Sequence, residues 1–352
     1  MTTEELTATA PGEVAPDQTR TRQLPAVRLP RLRPARSARG GPDRATSAGG
    51  SGMPPVKLLN VPPAAVLTPR VKDTRYWVGV AWLTISALVL GFLLHVVVIS
   101  GLQHQRAQTL GYDELRDSLA KSETPVSQID FTDNPVAAGT PLALLEIPKL
   151  GLRQVIVEGT TAETLREAPG HRRDSVLPGQ AGTSVILGRQ TTYGGPFGTL
   201  SRLQPGDVIR VTTGQGVNTF EVFGLRRAGD PQPAAPSRGE GRLELVTADG
   251  PALFLTGALH LDAALVSDTQ DTPGRIFTET ALPPEERALG VDSSGWAVVI
   301  VYLMLMVAAA VGTRWAWRHL GRWQTWLAGA PVLLIVGMGT ADAIVNIMPN
   351  LI

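Results

Sequence analysis

Residues 183–213 read TSVILGRQTTYGGPFGTLSRLQPGDVIRVTT. Two short apolar runs, TSVIL and DVIRVTT, stand apart from each other by stretches bearing Gly and Pro, and each predicts a strand bounded by turns. Pro205-Gly206-Asp207 predicts the turn that starts the second, because Pro presets φ and Gly accepts a positive φ. The same punctuation continues on both sides, in LALLEIPKL, RQVIVEG, NTFEVFGLRR, GRLELVTA and ALHLDAALV. Such a series is the pattern of an all-β barrel or sandwich, here over residues 141–270, with residues 161–167 as its one helix. Gly194-Gly195 and Gly214-Gln215-Gly216 lack the Lys and the strand-to-helix setting of a nucleotide loop and read as hairpin turns.

Outward from this core the composition changes twice. Residues 76–99 (YWVGVAWLTISALVLGFLLHVVVI), 295–313 and 326–348 are apolar over lengths near the roughly 20 residues needed to cross a bilayer, and predict three transmembrane helices. Residues 314–325 carry Arg314, Arg318 and Arg322 with Trp315, Trp317 and Trp323, the mixture expected of a cytoplasmic loop at the interface. Residues 1–70 are rich in Pro, Gly, Ala and Arg without apolar periodicity, and read as a disordered cytoplasmic tail. Positive charge on the tail and the 314–325 loop places residues 100–294 outside the cytoplasmic membrane of a multi-pass protein. Residues 100–140 form a membrane-proximal helix, carrying Leu110, Leu115 and Leu119, and a linker; residues 271–294 form a second linker.

The net charge of +1 gives no reason to expect a nucleic-acid partner, and the absence of any cysteine excludes disulfides, thiolate metal sites and CxxC redox chemistry. Asp230, Glu240 and Asp249 are scattered carboxylates with no calcium-loop spacing, so neither metal nor cofactor is expected.

The ordered elements LEIPKLGLRQVIVEG, APGHRRDSVLPGQAGTSVILGRQTTYGGPFGTLSRLQPGDVIRV and LELVTADGP resemble the sortase family, and most its actinobacterial class E and F members. That resemblance implies an eight-stranded β-barrel held at the membrane, cleavage of a Thr-Gly bond in a cell-wall sorting signal, and transfer to an amine. It also implies a catalytic histidine, cysteine and arginine, and none of them carries over. The histidine position, after a Gly and before a TTYG-like stretch, is Arg189; the cysteine position, after the LVT strand, is Ala248; the best match for the arginine is His260. Acyl transfer needs an activated nucleophile, a proton donor for the leaving amine and donors for the oxyanion. A methyl group at 248 and a permanent cation at 189 supply neither of the first two.

The expectation is therefore a catalytically inactive pseudo-sortase that binds or scaffolds a surface protein, a secreted protein or an active sortase through an extended peptide segment. Arg189, Thr191, Tyr193, Thr247, Ala248, Asp249 and His260 are the candidate groove residues, with Arg189 suited to a carboxylate. The alternatives are a divergent transpeptidase or hydrolase with a non-cysteine nucleophile, drawing on Thr247, Asp249, His171 and His260, and a structural membrane protein whose barrel is a spacer. Residues 229–241 (GDPQPAAPSRGEG) read as a mobile loop that covers the groove. Within the apolar spans His95 and Asp342, the latter four residues before Asn346, are predicted to pair, since ionisable groups at membrane depth are costly alone.

Overall fold

The computed structural model describes residues 73–130, 132–251, 255–274, 276–278 and 281–352. The expected tail at residues 1–70 and the middle of the 251–255 loop lie outside the described residues.

Eight strands close into a barrel: β1 (Pro141–Ile147), β2 (Leu152–Glu158), β3 (Gly170–His171), β4 (Gly182–Leu187), β5 (Val208–Thr213), β6 (Gly216–Arg226), β7 (Gly241–Asp249) and β8 (Gly257–Leu265), in the order β1-β2-β3-β4-β7-β8-β6-β5. The β2/β3 and β4/β7 pairs are parallel and the others antiparallel. Side chains alternate across each strand. On β7, Leu243 and Leu245 point into a barrel core shared with Leu145, Ile156, Ile186 and Phe220, while Val246 and Ala248 face outward into a second apolar cluster.

β3 has no counterpart among the strands expected from the sequence, because two residues carry no periodicity. Its place is set by close approach instead. A Cβ on Gly170 would lie 2.0 Å from the Gly159 carbonyl oxygen, so only glycine lets β3 slide in beside β2. Gly214–Gly216 turns between β5 and β6 as expected, with Thr213 opposite Gly216. Gly194-Gly195 is no hairpin: it lies in the long connection from β4 to β5, with Gly194 against His104. The helix expected at 161–167 is one turn, α3 (Thr164–Glu167).

Among the described residues, three helical stretches are long and apolar enough to cross a membrane. The first is continuous over Thr74–Lys121: α1 (Thr74–Leu94) passes through a π-helical turn, His95–Ile99, into α2 (Ser100–Lys121). The expected break at residue 99 is therefore a register change rather than a boundary. Leu115 and Leu119, four apart on one face, pack on Val155 and Val157 of β2, while Leu110, a turn earlier, is 60% exposed. α4 (Trp296–His319) and α5 (Arg322–Asn346) are the other two. The loop expected at 314–325 is mostly helix, since Arg, Trp and Ala prolong α4 readily and only Gly321, at φ +93°, breaks the chain direction.

Candidate functional site

The parallel pairing of β4 with β7 puts the ends of both strands at one rim of the barrel, with Leu187 beside Val246. Arg189 follows β4 and Ala248 lies near the end of β7, so two of the three positions singled out in the sequence come together there. The third does not. Ala258 stands opposite Ala248, and His260 stands opposite Val246 with Nδ1 2.6 Å from Glu244 Oε1. This corrects the expected role of His260: it belongs to a polar group further along the outer face.

Arg189 is fully buried, with no exposure. Its Nε donates to the Leu165 carbonyl at 3.1 Å, Nη2 to the Ala162 carbonyl at 2.6 Å, and Nη1 to Thr192 Oγ1 at 3.1 Å and the Ile352 carbonyl at 3.3 Å. The Tyr193 ring lies 5.1 Å from the guanidinium carbon. Burial pulls its pKa down to about 10, which still leaves a cation at neutral pH. The guanidinium is thus spent on oxygens of this same chain, Ile352 among them. Gly188 ahead of it is required by packing, because a Cβ there would stand 2.4 Å from the Phe197 ring.

Ala248 is equally closed. It sits at 0% exposure in a cluster with Leu165, Val185, Leu187, Val246 and Leu351. The cover comes from the segment that follows α5: Leu351 and Asn350 are at 0% exposure and Ile352 at 4%. The Gln190 amide donates to the Leu351 carbonyl at 2.9 Å, and Thr192 Oγ1 to the Ile352 carbonyl at 2.5 Å. The cleft expected to be open or covered by residues 229–241 is therefore filled by residues 350–352.

Among the described residues, no replacement catalytic group assembles at the rim. Thr247 alternates inward from Ala248, and its buried Oγ1 has no hydrogen-bond partner. Asp249 pairs with Arg227 at 3.3 Å. Thr191 is half-buried on the same loop as Arg189. His171 is held elsewhere: Nδ1 lies 2.9 Å from Glu158 Oε2, and Nε2 lies 2.9 Å from the Val176 carbonyl and 3.0 Å from Ser175 Oγ. Ser, His and Glu in this order have the outline of a triad. The hydroxyl, however, donates to the Arg172 carbonyl at 2.7 Å and accepts from the Val185 amide at 3.1 Å, so it is a saturated structural group.

Tyr193 faces the helices instead of the cleft. Its hydroxyl donates to Asp342 Oδ1 at 2.7 Å, and the same oxygen lies 2.8 Å from His95 Nε2. Arg166 donates to Asn346 Oδ1 at 3.4 Å and stacks over the Tyr193 ring at 5.5 Å. Burial, and then the Asp342 carboxylate, push the Tyr193 phenol well above its usual range, so it stays a donor. Its backbone sits at φ +50°, an uncommon state for a non-glycine residue, held by this bond and by Ser100 Oγ accepting from its amide at 3.1 Å. A double-mutant cycle of Tyr193→Phe and Asp342→Asn, read by unfolding in detergent, is expected to give a coupling of about 1–2 kcal/mol. Additive effects would show that this bond does not hold barrel and helix together.

On the outer face, Arg226 forks to Asp262 at 2.5 Å and Glu244 at 2.7 Å beside His260. Arg226, Glu244 and His260 line a cavity of about 1200 Å³ bordered by Pro233 and Pro236, so the 229–241 segment runs over this groove rather than over Ala248. Burial pushes the Glu244 carboxyl up, but the His260 hydrogen bond and the neighbouring charges outweigh it and leave it below its usual range. No group of three or more His, Asp or Glu side chains able to hold a metal ion occurs among the described residues.

Residues 145–252 match the family model described as a sortase domain. Sortase D of Bacillus subtilis is 36% identical over 84 residues, 24% of this chain and 41% of the relative. Sortase SrtE1 of Streptomyces coelicolor is 26% identical over 159 residues, 43% of this chain and 42% of the relative. The matched regions span about two fifths of the length of these curated relatives. Among solved structures, a sortase D5 transpeptidase of Clostridium perfringens aligns with a TM-score of 0.38 at 22% identity, over 46% of this chain and 99% of that one. Sortase E1 of Streptomyces coelicolor, with a tripeptide in its active site, aligns with a TM-score of 0.33 at 21% identity, over 37% and 91%. The residues that match this family model carry β2 to β7 of the closed eight-stranded barrel.

Proposed function

We propose that this protein is a membrane-anchored sortase-like module that does not cut peptide bonds and keeps its barrel for binding and scaffolding outside the cytoplasmic membrane. The observation that carries this reading is the closure of the rim: Ala248 and Arg189 are both at 0% exposure and each is fully engaged. A transpeptidase must admit a substrate carbonyl to a nucleophile with a base beside it. Here the nucleophile position offers a methyl group under Leu351, and no hydroxyl or carboxylate at the rim has a base beside it. The positively charged end of α4 and start of α5, with Arg314, Arg318 and Arg322, supports placing that connection in the cytoplasm and the barrel outside. The partner on this reading is a surface or secreted protein, or an active sortase.

The test is to incubate the full-length protein in nanodiscs with LPxTG-like and LAxTG-like peptides and an amine acceptor, and to follow the products by mass spectrometry. Intact peptides are expected. Cleavage or transfer that disappears when Thr247 and Asp249 are replaced would overturn the proposal in favour of a non-cysteine nucleophile.

A further inference from the structure

The segment filling the cleft is held residue by residue, with more specificity than a loop that merely folds back. Asn350 is fully buried; its amide donates to the Gly290 carbonyl at 3.0 Å, and its Nδ2 lies within hydrogen-bond distance of three carbonyls, Thr160 at 2.9 Å, Arg287 at 2.9 Å and Glu285 at 3.2 Å. Three acceptors around one side-chain amide select a donor and reject a carboxylate of the same shape. Leu351 is surrounded by Leu165, Val185, Leu187 and Val246, with the methyl of Ala248 among them, and its carbonyl accepts from the Gln190 amide. The Ile352 carbonyl is then received by Arg189 and Thr192. Each of three successive residues meets a different, complementary surface, and the segment is folded as a turn, with the Ile352 amide donating to the Pro349 carbonyl at 3.2 Å.

We propose that the cleft over Ala248 is a receptor for an Asn-Leu-Ile segment held in a turn, and that residues 350–352 of this chain are its resident ligand, latching the barrel to α5. The proposal deepens the non-catalytic reading and rests on it, since a resident ligand must survive in the cleft. The replaced positions acquire a purpose: Ala248 takes part in the leucine pocket and Arg189 receives a peptide carbonyl. Asp342 and Asn346, on the helix that leads into the segment, meet Tyr193 and Arg166 next to the same loop, so latch and helix contacts bind one surface.

The absence of cysteine from the chain makes a single introduced thiol a clean reporter. In the full-length protein in nanodiscs, the thiol of Ala248→Cys is expected to react with a maleimide on the order of 100-fold more slowly than that of Val217→Cys, as closed sites react only through local opening. Val217, on β6, is 59% exposed. In unsubstituted protein, the Gln190 and Asn350 amides are expected to exchange slowly with deuterium, which checks the seat without a packing change at 248. Adding Asn350→Asp, which sets a carboxylate against three carbonyls, is expected to speed both readouts by at least about tenfold. Acetyl-Pro-Asn-Leu-Ile-amide supplied at millimolar concentration, the order that a short tether provides, is expected to restore protection to that variant, and the same peptide with Asp for Asn is not.

Fast labelling of Ala248→Cys together with fast exchange at Gln190 would overturn the latch, as would an Asn350→Asp variant no more reactive than its parent. Failure of the Asn-bearing peptide to restore protection would overturn the receptor. Cleavage of that peptide would overturn the non-catalytic reading alone, because protection of Gln190 would still report an occupied seat. Retained strand signals in the variant spectra separate latch opening from loss of the barrel.

Discussion

Replacing Glu158 with alanine is expected to destabilise the barrel by about 3–5 kcal/mol, the range for removing one partner of a buried ion pair. Glu158 is 4% exposed and His171 1%, so solvent has little access to substitute for the lost contact. The imidazole bridges β2 through Glu158 to the turn beyond β3 through Val176 and Ser175, so the pair closes the barrel where its shortest strand has only two residues to pair. Burial pulls the His171 pKa down, but the Glu158 carboxylate and its hydrogen bond more than offset this, and Asp174 adds to them; the net shift is upward. A raised histidine pKa contributes stability that is fully present below the unfolded value, about 6.5, and is lost as pH rises through the folded value.

His104 works in the opposite sense. Desolvation lowers its pKa despite the Gln154 hydrogen bond, so its contribution is lost as pH falls below its unfolded value. Comparing the full-length protein with Glu158→Gln cancels the His104 part. The difference in unfolding free energy is expected to be largest near pH 6 and to shrink toward alkaline pH, tracked by denaturant titration and by the His171 ring resonance. Glu286 and Arg173 also face this group, at 3.7 Å from each other, and the Glu286 carboxyl is raised chiefly by burial. A difference that grew with pH would mean that the ring is neutral in the folded barrel.

Seven of the eight strands were legible because alternation of apolar residues is a local property, written in five to ten consecutive positions. β3 was illegible because its position depends on the fit of Gly170 against Gly159, eleven residues away, and on nothing periodic. His95 and Asp342 stood out as ionisable residues inside apolar runs, and the structure sets them 2.8 Å apart; Arg166, which completes that network, sits in an ordinary polar turn with no such contrast. The site was half legible. Arg189 and Ala248 are conspicuous where the family resemblance implies histidine and cysteine, yet what Arg189 binds could not be read, because its acceptors are mostly main-chain oxygens that every residue possesses. The latch was invisible for a related reason. Asn350-Leu351-Ile352 has no pattern of its own, and its partners lie between Thr160 and Ala248 and near Gly290.

The second large effect is expected at Arg189. Arg189→Leu keeps much of the volume but strands the Leu165 and Ala162 carbonyls in a site with no exposure and leaves the Ile352 carbonyl to Thr192 alone, and each orphaned buried acceptor costs about 1–3 kcal/mol. Relaxation recovers part of this, so a total loss of about 3–5 kcal/mol is expected, divided between the barrel, which loses the bridge from the β4 end to α3, and the docked segment. Arg189→Lys is expected to lie in between: an ammonium has three donors and a single charge centre, whereas the guanidinium reaches Leu165, Ala162 and Thr192 from three separate nitrogens. The split between the two losses is measurable, because unfolding in denaturant reports the sum while amide exchange at Gln190 reports the segment alone. If Arg189→Leu accelerated exchange at Gln190 with little change in global stability, the arginine would serve the latch chiefly. If stability fell and Gln190 stayed protected, the leucine pocket and the Asn350 bonds would hold the segment unaided, and Arg189 would be a strut between β4 and α3 in the place where the family resemblance implies a catalytic histidine.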